Sequence, residues 1–584
     1  MQIGNLNVVR LALLGSALCA AAAAQAAAKA GAAADLILTN ARVYTVEKAQ
    51  PWAGAVSIKD GHIQAVGSAA AVGKHRGPNT QVVDLGGRLL MPAFGDAHAH
   101  PVFGGMSYAR CSLHTGKTIE DYQRIIAGCV NSTPGTAAIY GFGWLDALFP
   151  PSGLPRKEVL DAVSKDRPLI FTSVGGHSMW LNSKALALAK ITKDTPDPAN
   201  GQIDRDPKSG EPSGSLQEAA MELADSVIPP PTQADAETAI AYTAKMLNSL
   251  GVTSWHDAGV DYEEDGSSPT ITAYRAVRDR GDLHQHVTIA LKWKNERGLD
   301  QLPAMQRAFD KTKALGFTSN SVKFYVDGVI PQKTAAMLAP YEDAHDHSHA
   351  TKGAPQISED VLKQAVTALD AKGVQAYFHA IGDGAVRETL DAVEAARATN
   401  GPSDTRPMVA HLNIVDPADQ PRFAKLNMTA QFQAAWAANY PYMDLTKQAV
   451  GPTRSTYIYP AGSILKYGGR LAYGADWPVG TANPFEGLEV AVTRTNFDLP
   501  TTGPLLPGES VTLEQAVAAH TIDVAYVNHL DTQLGSIAKG KFADLIVVDR
   551  DIFSIPITDV SKAKVLVTFF EGKPVYGDLA TLTR

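Results

Sequence analysis

Cysteine is scarce in this 584-residue chain, which has three, at Cys19, Cys111 and Cys129. So few and so scattered, they exclude a disulfide scaffold and a cysteine-rich zinc module. An excess of basic charge is also missing: 52 Lys and Arg stand against 60 Asp and Glu, a net charge of −8. No field exists here to neutralise phosphates, which sets nucleic acid aside as a partner. Long apolar runs are missing too, save Leu11 to Ala24 after Arg10. That run is shorter than the roughly 20 residues a membrane-spanning helix needs, and Ala24-Gln25-Ala26 supplies the small residues of a cleavage site, so residues 1–26 read as an export signal. Leu18 stands where a lipid-anchoring signal would place a small residue. The expectation is an exported chain, periplasmic or secreted, with no membrane contact after cleavage. Cys111 and Cys129 then remain in an oxidising compartment, paired or free.

What is present is core material. With 45% hydrophobic residues, the chain can bury a large interior, and 584 residues exceed one bare α/β barrel of about 250. Asp35 to Val46, Ala55 to Ile58 and Ile63 to Val66 read as short strands joined by tight turns, and Ala543 to Val548, Val565 to Phe570 and Pro574 to Tyr576 repeat the style at the other end. One small β-sandwich built from both ends, residues 35–90 and 535–584, hides both apolar faces most simply. Between them, strand-like runs alternate with helical stretches at Leu89–Ala97, Val252–His256, Val287–Lys292, Val322–Val326, Val374–His379, Met408–His411, Met428–Phe432 and Leu471–Ala475. Eight such runs predict an α/β fold, a (β/α)8 TIM-like barrel over 91–534. Pro168 to Val174 is a ninth candidate. It lies in a stretch at about 114–231 too long for one βα connection, which is assigned as a substrate-side insertion.

The chemistry-bearing residues gather at the ends of these strands. His98 and His100, two apart, present their imidazoles to one side, a metal-ligand spacing, though a lone H-x-H is more often two hydrogen-bonded histidines. Lys323, between Val322 and Phe324, points inward, where an unpaired charge is expensive. It is either a plain ion-paired lysine or an amine that captures CO2 as a carbamate able to bridge two cations. His379, His411 and Asp476 end the fifth, sixth and eighth strands. Each alone reads as a satisfied polar residue, but four histidines, a lysine and an aspartate converging on one barrel mouth form a ligand set for a divalent metal such as Zn. The histidines of His345 to His349 read as a solvated loop.

Several stretches resemble the amidohydrolase superfamily, and within it the amidohydrolase family 3 branch that includes N-substituted formamide deformylases. They are Met91 to His100, Gly176 to Ser183, Gly251 to Gly259, Val322 to Gly328, His379 to Asp383 and Gly535 to Asp544. The resemblance implies that His98 and His100 bind one ion, that His379 and His411 bind a second, that carboxylated Lys323 bridges them and that Asp476 completes the first site. Ala93, Ala475, Gly384 and Ala410 stand where the family often has Gly, Ser, Arg and Glu. None of these removes a ligand; each bears on pocket shape.

The reaction expected from these roles is hydrolysis of an amide or cyclic amide in a small-molecule substrate by a metal-activated hydroxide. Asp476 acts as general base and then acid, with one or two ions bound. His177 would donate to the substrate carbonyl or leaving group, and Trp477 and, more weakly, Trp180 would touch substrate. Ester or lactone hydrolysis, deamination of an aminoheterocycle, or a catalytically silent binding protein of the same fold are the alternatives. A homodimer is the default for a soluble enzyme.

Overall fold

The computed structural model describes residues 33–150, 152–228, 232–342 and 351–582. The export segment at 1–26 and the histidines of residues 345–349 lie outside the described residues. The chain forms two compact units, one drawn from Met1–Pro92, Ser536–Asp551 and Leu566–Arg584, the other from Ala93–Gly535 and Ile552–Val565.

The first unit has two sheets. Four strands lie in the order His62–Gly67, Ala55–Lys59, Leu36–Thr39, Gln81–Asp84; six lie in the order Lys573–Tyr576, Val565–Phe570, Leu545–Val548, Leu89–Pro92, Arg42–Tyr44, Trp52–Ala53. Leu38, Val56 and Ile58 from the first sheet share a core with Leu90, Val547 and Phe569 from the second. The two chain ends meet where Leu545 to Val548 runs antiparallel to Leu89 to Pro92, pairing Val547 with Leu90.

The second unit holds an eight-stranded parallel sheet, nearly closed into a barrel. Its strands are β1 (Phe94–Ala99), β2 (Val252–Val260), β3 (His286–Lys292), β4 (Thr318–Tyr325), β5 (Gln375–Ala380), β6 (Met408–His411), β7 (Thr429–Phe432) and β8 (Arg470–Tyr473). β5, β6 and β7 are buried at every residue, as strands covered on both faces must be. The run read as one strand from Leu89 to Ala97 is two: Leu89–Pro92 serves the first unit, and β1 begins after Ala93. Closure between β1 and β8 is made by backbone groups at and just past the strand ends. His100 N donates to Trp477 O at 3.0 Å and Asp476 N to His98 O at 2.7 Å. Buried Asp96 staples the same seam, its Oδ1 accepting from His98 N at 2.9 Å and Ala475 N at 3.0 Å.

Between β1 and β2 the chain builds a separate six-stranded sheet, in the order Gly201–Arg205, Pro212–Glu218, Ser178–Leu181, Leu169–Ser173, Ile139–Trp144, Cys111–Ser112. The ninth strand candidate, at Pro168 to Val174, belongs to this sheet and not to the barrel. Cys111 and Cys129 are joined as a disulfide, their Cα atoms 5.9 Å apart, which ties the edge strand to helix Ile119–Ser132.

Candidate metal centre

His98, on β1, is fully buried. Its Nε2 lies 3.3 Å from His100 Nε2, 3.3 Å from Asp476 Oδ1 and 3.2 Å from Lys323 Nζ, while His100 Nε2 lies 3.2 Å from Asp476 Oδ1. Four tetrahedral donors at about 2.0–2.1 Å from a zinc ion stand about 3.3–3.4 Å from one another. The observed separations match that edge. Asp476 Oδ1 is buried and has no hydrogen-bond partner, an uncommon state for a carboxylate oxygen and the one expected of a metal ligand. His98, His411 and Asp476 offer ligand atoms that all lie within 4.8 Å of one another. The residues present therefore fit a divalent cation.

The tautomers of His98 and His411 follow from one backbone carbonyl. Gln431 Nε2 donates to Phe432 O at 3.0 Å, so Gln431 Oε1 is an acceptor. It receives Gln433 Nε2 at 3.0 Å and faces His98 Nδ1 at 3.2 Å, which must therefore carry the proton. Gln433 Oε1 in turn faces His411 Nδ1 at 3.0 Å. His379 Nε2 lies 3.3 Å from the Gly328 carbonyl. Each imidazole thus spends one N–H on an oxygen acceptor and keeps its other nitrogen bare, the form in which histidine binds a metal. Burial, with the charge of neighbouring groups adding to it, holds His98, His379 and His411 well below the usual imidazole range. His379 and His411 sit with ring centres 4.5 Å apart, and His98 and His411 4.8 Å apart.

Backbone strain collects at the same place. His411 has φ 80° and Asp476 φ 53°, left-handed values that cost a non-glycine residue about 1–3 kcal/mol and persist where surrounding contacts impose them. Asp327, fully buried after β4, accepts N–H bonds from Ala336, Ile381 and Gly382 and so pins the loop after β5 beside His379.

Lys323 is fully buried, its Nζ 4.3 Å from the centre of the Tyr377 ring, and among the described residues no carboxylate forms an ion pair with it. Burial pulls its amine down to about 7, against the opposing charge of Asp476.

A cavity of about 800 Å³ opens over these groups. His177, from the insertion, lines it, with its ring 5.5 Å from that of His379. Its Nδ1 faces both oxygens of Glu218, at 3.0 and 3.2 Å, and Glu218 Oε1 also accepts from Thr334 Oγ1 at 2.9 Å. Burial pulls His177 down, but the charge and hydrogen bond of Glu218 outweigh it and hold the imidazole above its ordinary value. The two expected substrate contacts are placed elsewhere. Trp180 is fully buried with Trp144, Phe149 and Phe171 in the insertion's core, its Nε1 donating to Arg156 O, and Trp477 stacks on Tyr108 beside Gly104. Neither ring lines the cavity, whose aromatic wall includes Trp436, Tyr440 and Tyr442. Gln431, Gln433 and Glu218 went unread in the sequence. The alternating Gln431-Phe432-Gln433 at the end of β7 repeats the spacing of His98-Ala99-His100 and is the signal that could have found the first two.

Comparison with known proteins agrees with this fold. The chain is 29% identical over 559 residues to the Arabidopsis thaliana protein LONG AFTER FAR-RED 3, covering 94% of this chain and 92% of that one. It is 26% identical over 548 residues to the N-substituted formamide deformylase of Arthrobacter pascens, covering 92% and 97%. In fold it is similar to an uncharacterized metal-dependent hydrolase from Pyrococcus horikoshii OT3, with a TM-score of 0.68 at 24% identity, covering 89% of this chain and 99% of that one. The amidohydrolase family model matches residues 81–576, which takes in the barrel, the insertion and all six candidate ligands. By that match this chain belongs to the amidohydrolase family.

Proposed function

We propose that the chain hydrolyses a carbon–nitrogen bond, of an amide or cyclic amide, in a small-molecule substrate. The observation that carries the reading is the unpartnered Oδ1 of Asp476, set 3.2–3.3 Å from two histidine nitrogens at the floor of a substrate-sized cavity. An amide is favoured because the Arthrobacter pascens relative, aligned over 92% of this chain, is an N-substituted formamide deformylase.

A divalent cation, zinc being suited to these nitrogen and oxygen donors, would acidify a water and polarise the substrate carbonyl. His98, His100 and Asp476 would hold one ion, and His379 and His411 a second, with Lys323 between them. With its amine pulled down to about 7, a substantial fraction of Lys323 is unprotonated near neutral pH. The free amine adds to CO2 and releases one proton, giving a carbamate anion where the side chain otherwise has no carboxylate partner. Asp476, using the oxygen it does not give to the ion, takes the proton of the attacking water and returns it to the leaving nitrogen. His177, held by Glu218, donates a hydrogen bond to the substrate carbonyl or the leaving group. Export is supported by the Cys111–Cys129 disulfide, which belongs to an oxidising compartment.

Metal analysis of the purified protein, joined to turnover of N-formyl, N-acyl, cyclic imide, ester and lactone substrates, tests the reading. Metal-loaded protein active on amides is the expected result; metal-loaded protein inactive on every amide and imide overturns it. Lys323→Ala is expected to lower metal content, with partial rescue by short carboxylic acids, and unchanged content would rule out the carbamate.

A further inference from the structure

The insertion brings a second polar group to the cavity wall, apart from the metal ligands. Asp146 opens the short helical turn Asp146–Leu148 after strand Ile139–Trp144, and Gln332 comes from the loop after β4. Gln332 Nε2 donates to Asp146 Oδ2 at 3.0 Å. The other oxygen of each, Asp146 Oδ1 and Gln332 Oε1, is buried and has no hydrogen-bond partner. Two buried acceptors left open on a hydrogen-bonded pair of side chains are costly in a folded chain and call for a donor-rich partner.

Positive charge on that partner would complement Asp146. Among the described residues, no Lys or Arg forms an ion pair with Asp146. His177, whose charge it feels, is already committed to Glu218. Burial pushes Asp146 up to about 6, which leaves it ionised at neutral pH. The same wall includes Trp436, Tyr440 and Tyr442, aromatic residues of the kind that attract cations through their rings.

We propose that Asp146 and Gln332 form a cation subsite that receives a protonated amine, or a guanidinium, borne by the substrate on an apolar or aromatic linker. An ammonium brings three donors and a guanidinium five, enough in number for both open oxygens. The proposal rests on the amide-hydrolase reading for the reaction and adds the substrate class.

The test compares a short series of N-acyl diamines of increasing chain length with N-acyl alkylamines that end in methyl where the diamines end in ammonium. The metal-loaded protein is expected to prefer the cationic member of the best pair by about tenfold to hundredfold in kcat/KM, the worth of one or two charge-assisted hydrogen bonds. Asp146→Asn is expected to bring that ratio close to one. Equal turnover of the two series, the result if water alone fills the site, or a preference that survives Asp146→Asn, overturns the subsite and leaves the hydrolase reading standing. If no amide is turned over, the hydrolase reading fails separately, and calorimetry with the free diamines decides the subsite. Binding by wild type that is lost in Asp146→Asn supports it, and binding absent from both, or equal in both, overturns it.

Discussion

Replacing Gln433 by Leu tests how the imidazoles are prepared for metal. Gln433 Oε1 is the acceptor for His411 Nδ1 at 3.0 Å, and Gln433 Nε2 donates to Gln431 Oε1, which also faces His98 Nδ1. Gln433→Leu leaves a buried His411 N–H without a partner and frees the ring to turn or to change tautomer. The loss of an outer acceptor of this kind costs about tenfold to hundredfold in metal affinity, or about 1.4–2.7 kcal/mol. Gln433→Glu separates two effects. It restores an acceptor to His411 but sets a carboxylate against Gln431 Oε1, so Gln431 must turn and His98 loses its acceptor. Both variants are therefore expected to bind metal more weakly than wild type, Leu through His411 and Glu through His98. Competition between the protein and a chromogenic chelator reads the affinity. Metal affinity within twofold of wild type in Gln433→Leu would refute the claim that this network sets the ligand tautomers.

Glu218→Gln removes a buried charge-assisted hydrogen bond to His177, worth about 1.5–3 kcal/mol, and is expected to lower kcat about tenfold to hundredfold with metal content unchanged; an unaltered kcat removes His177 from the reaction. The Cys111→Ser/Cys129→Ser double variant opens a loop of 18 residues, which by chain entropy costs about 3 kcal/mol in denaturant unfolding of the insertion; a loss under about 1 kcal/mol would show the disulfide adds little. Burial holds His520 down to about 4 and His256 down to about 3, against 6.5 for a free imidazole. The unfolded chain takes up their protons first, so this stability is complete above pH 6.5 and is lost as pH falls toward those values. Each contributes a loss of about 2 kcal/mol by pH 5. Denaturant titrations across that range that show no fall would contradict the burial of both rings as neutral imidazoles.

Sequence was most informative where backbone and side chain obey a short period. The eight barrel strands were legible because runs buried on both faces are apolar and punctuated by turns, and His98, His100, Lys323, His379, His411 and Asp476 because each is a polar residue inside or just after one of those runs. The Leu89 to Ala97 run hid its division at Ala93, since both pieces are buried and hydrophobic and only the partner strands differ. Trp180 and Trp477 misled for a related reason: adjacency in sequence to His177 or Asp476 does not set the direction of a side chain, and a large ring goes where a core has room. Gln431, Gln433 and Glu218 act through contacts between strands remote in sequence. Glu218 reaches His177 across 41 positions and Gln431 reaches His98 across 333, separations that carry no local pattern.

In the proposed function, His98, His100 and Asp476 would hold a divalent cation. Diffraction from crystals grown with zinc, recorded on both sides of the zinc absorption edge, tests it most directly. The prediction is an anomalous peak about 2.0–2.2 Å from His98 Nε2, His100 Nε2 and Asp476 Oδ1. A zinc-saturated crystal with no peak at the barrel mouth, or with its peak on other residues, would contradict it.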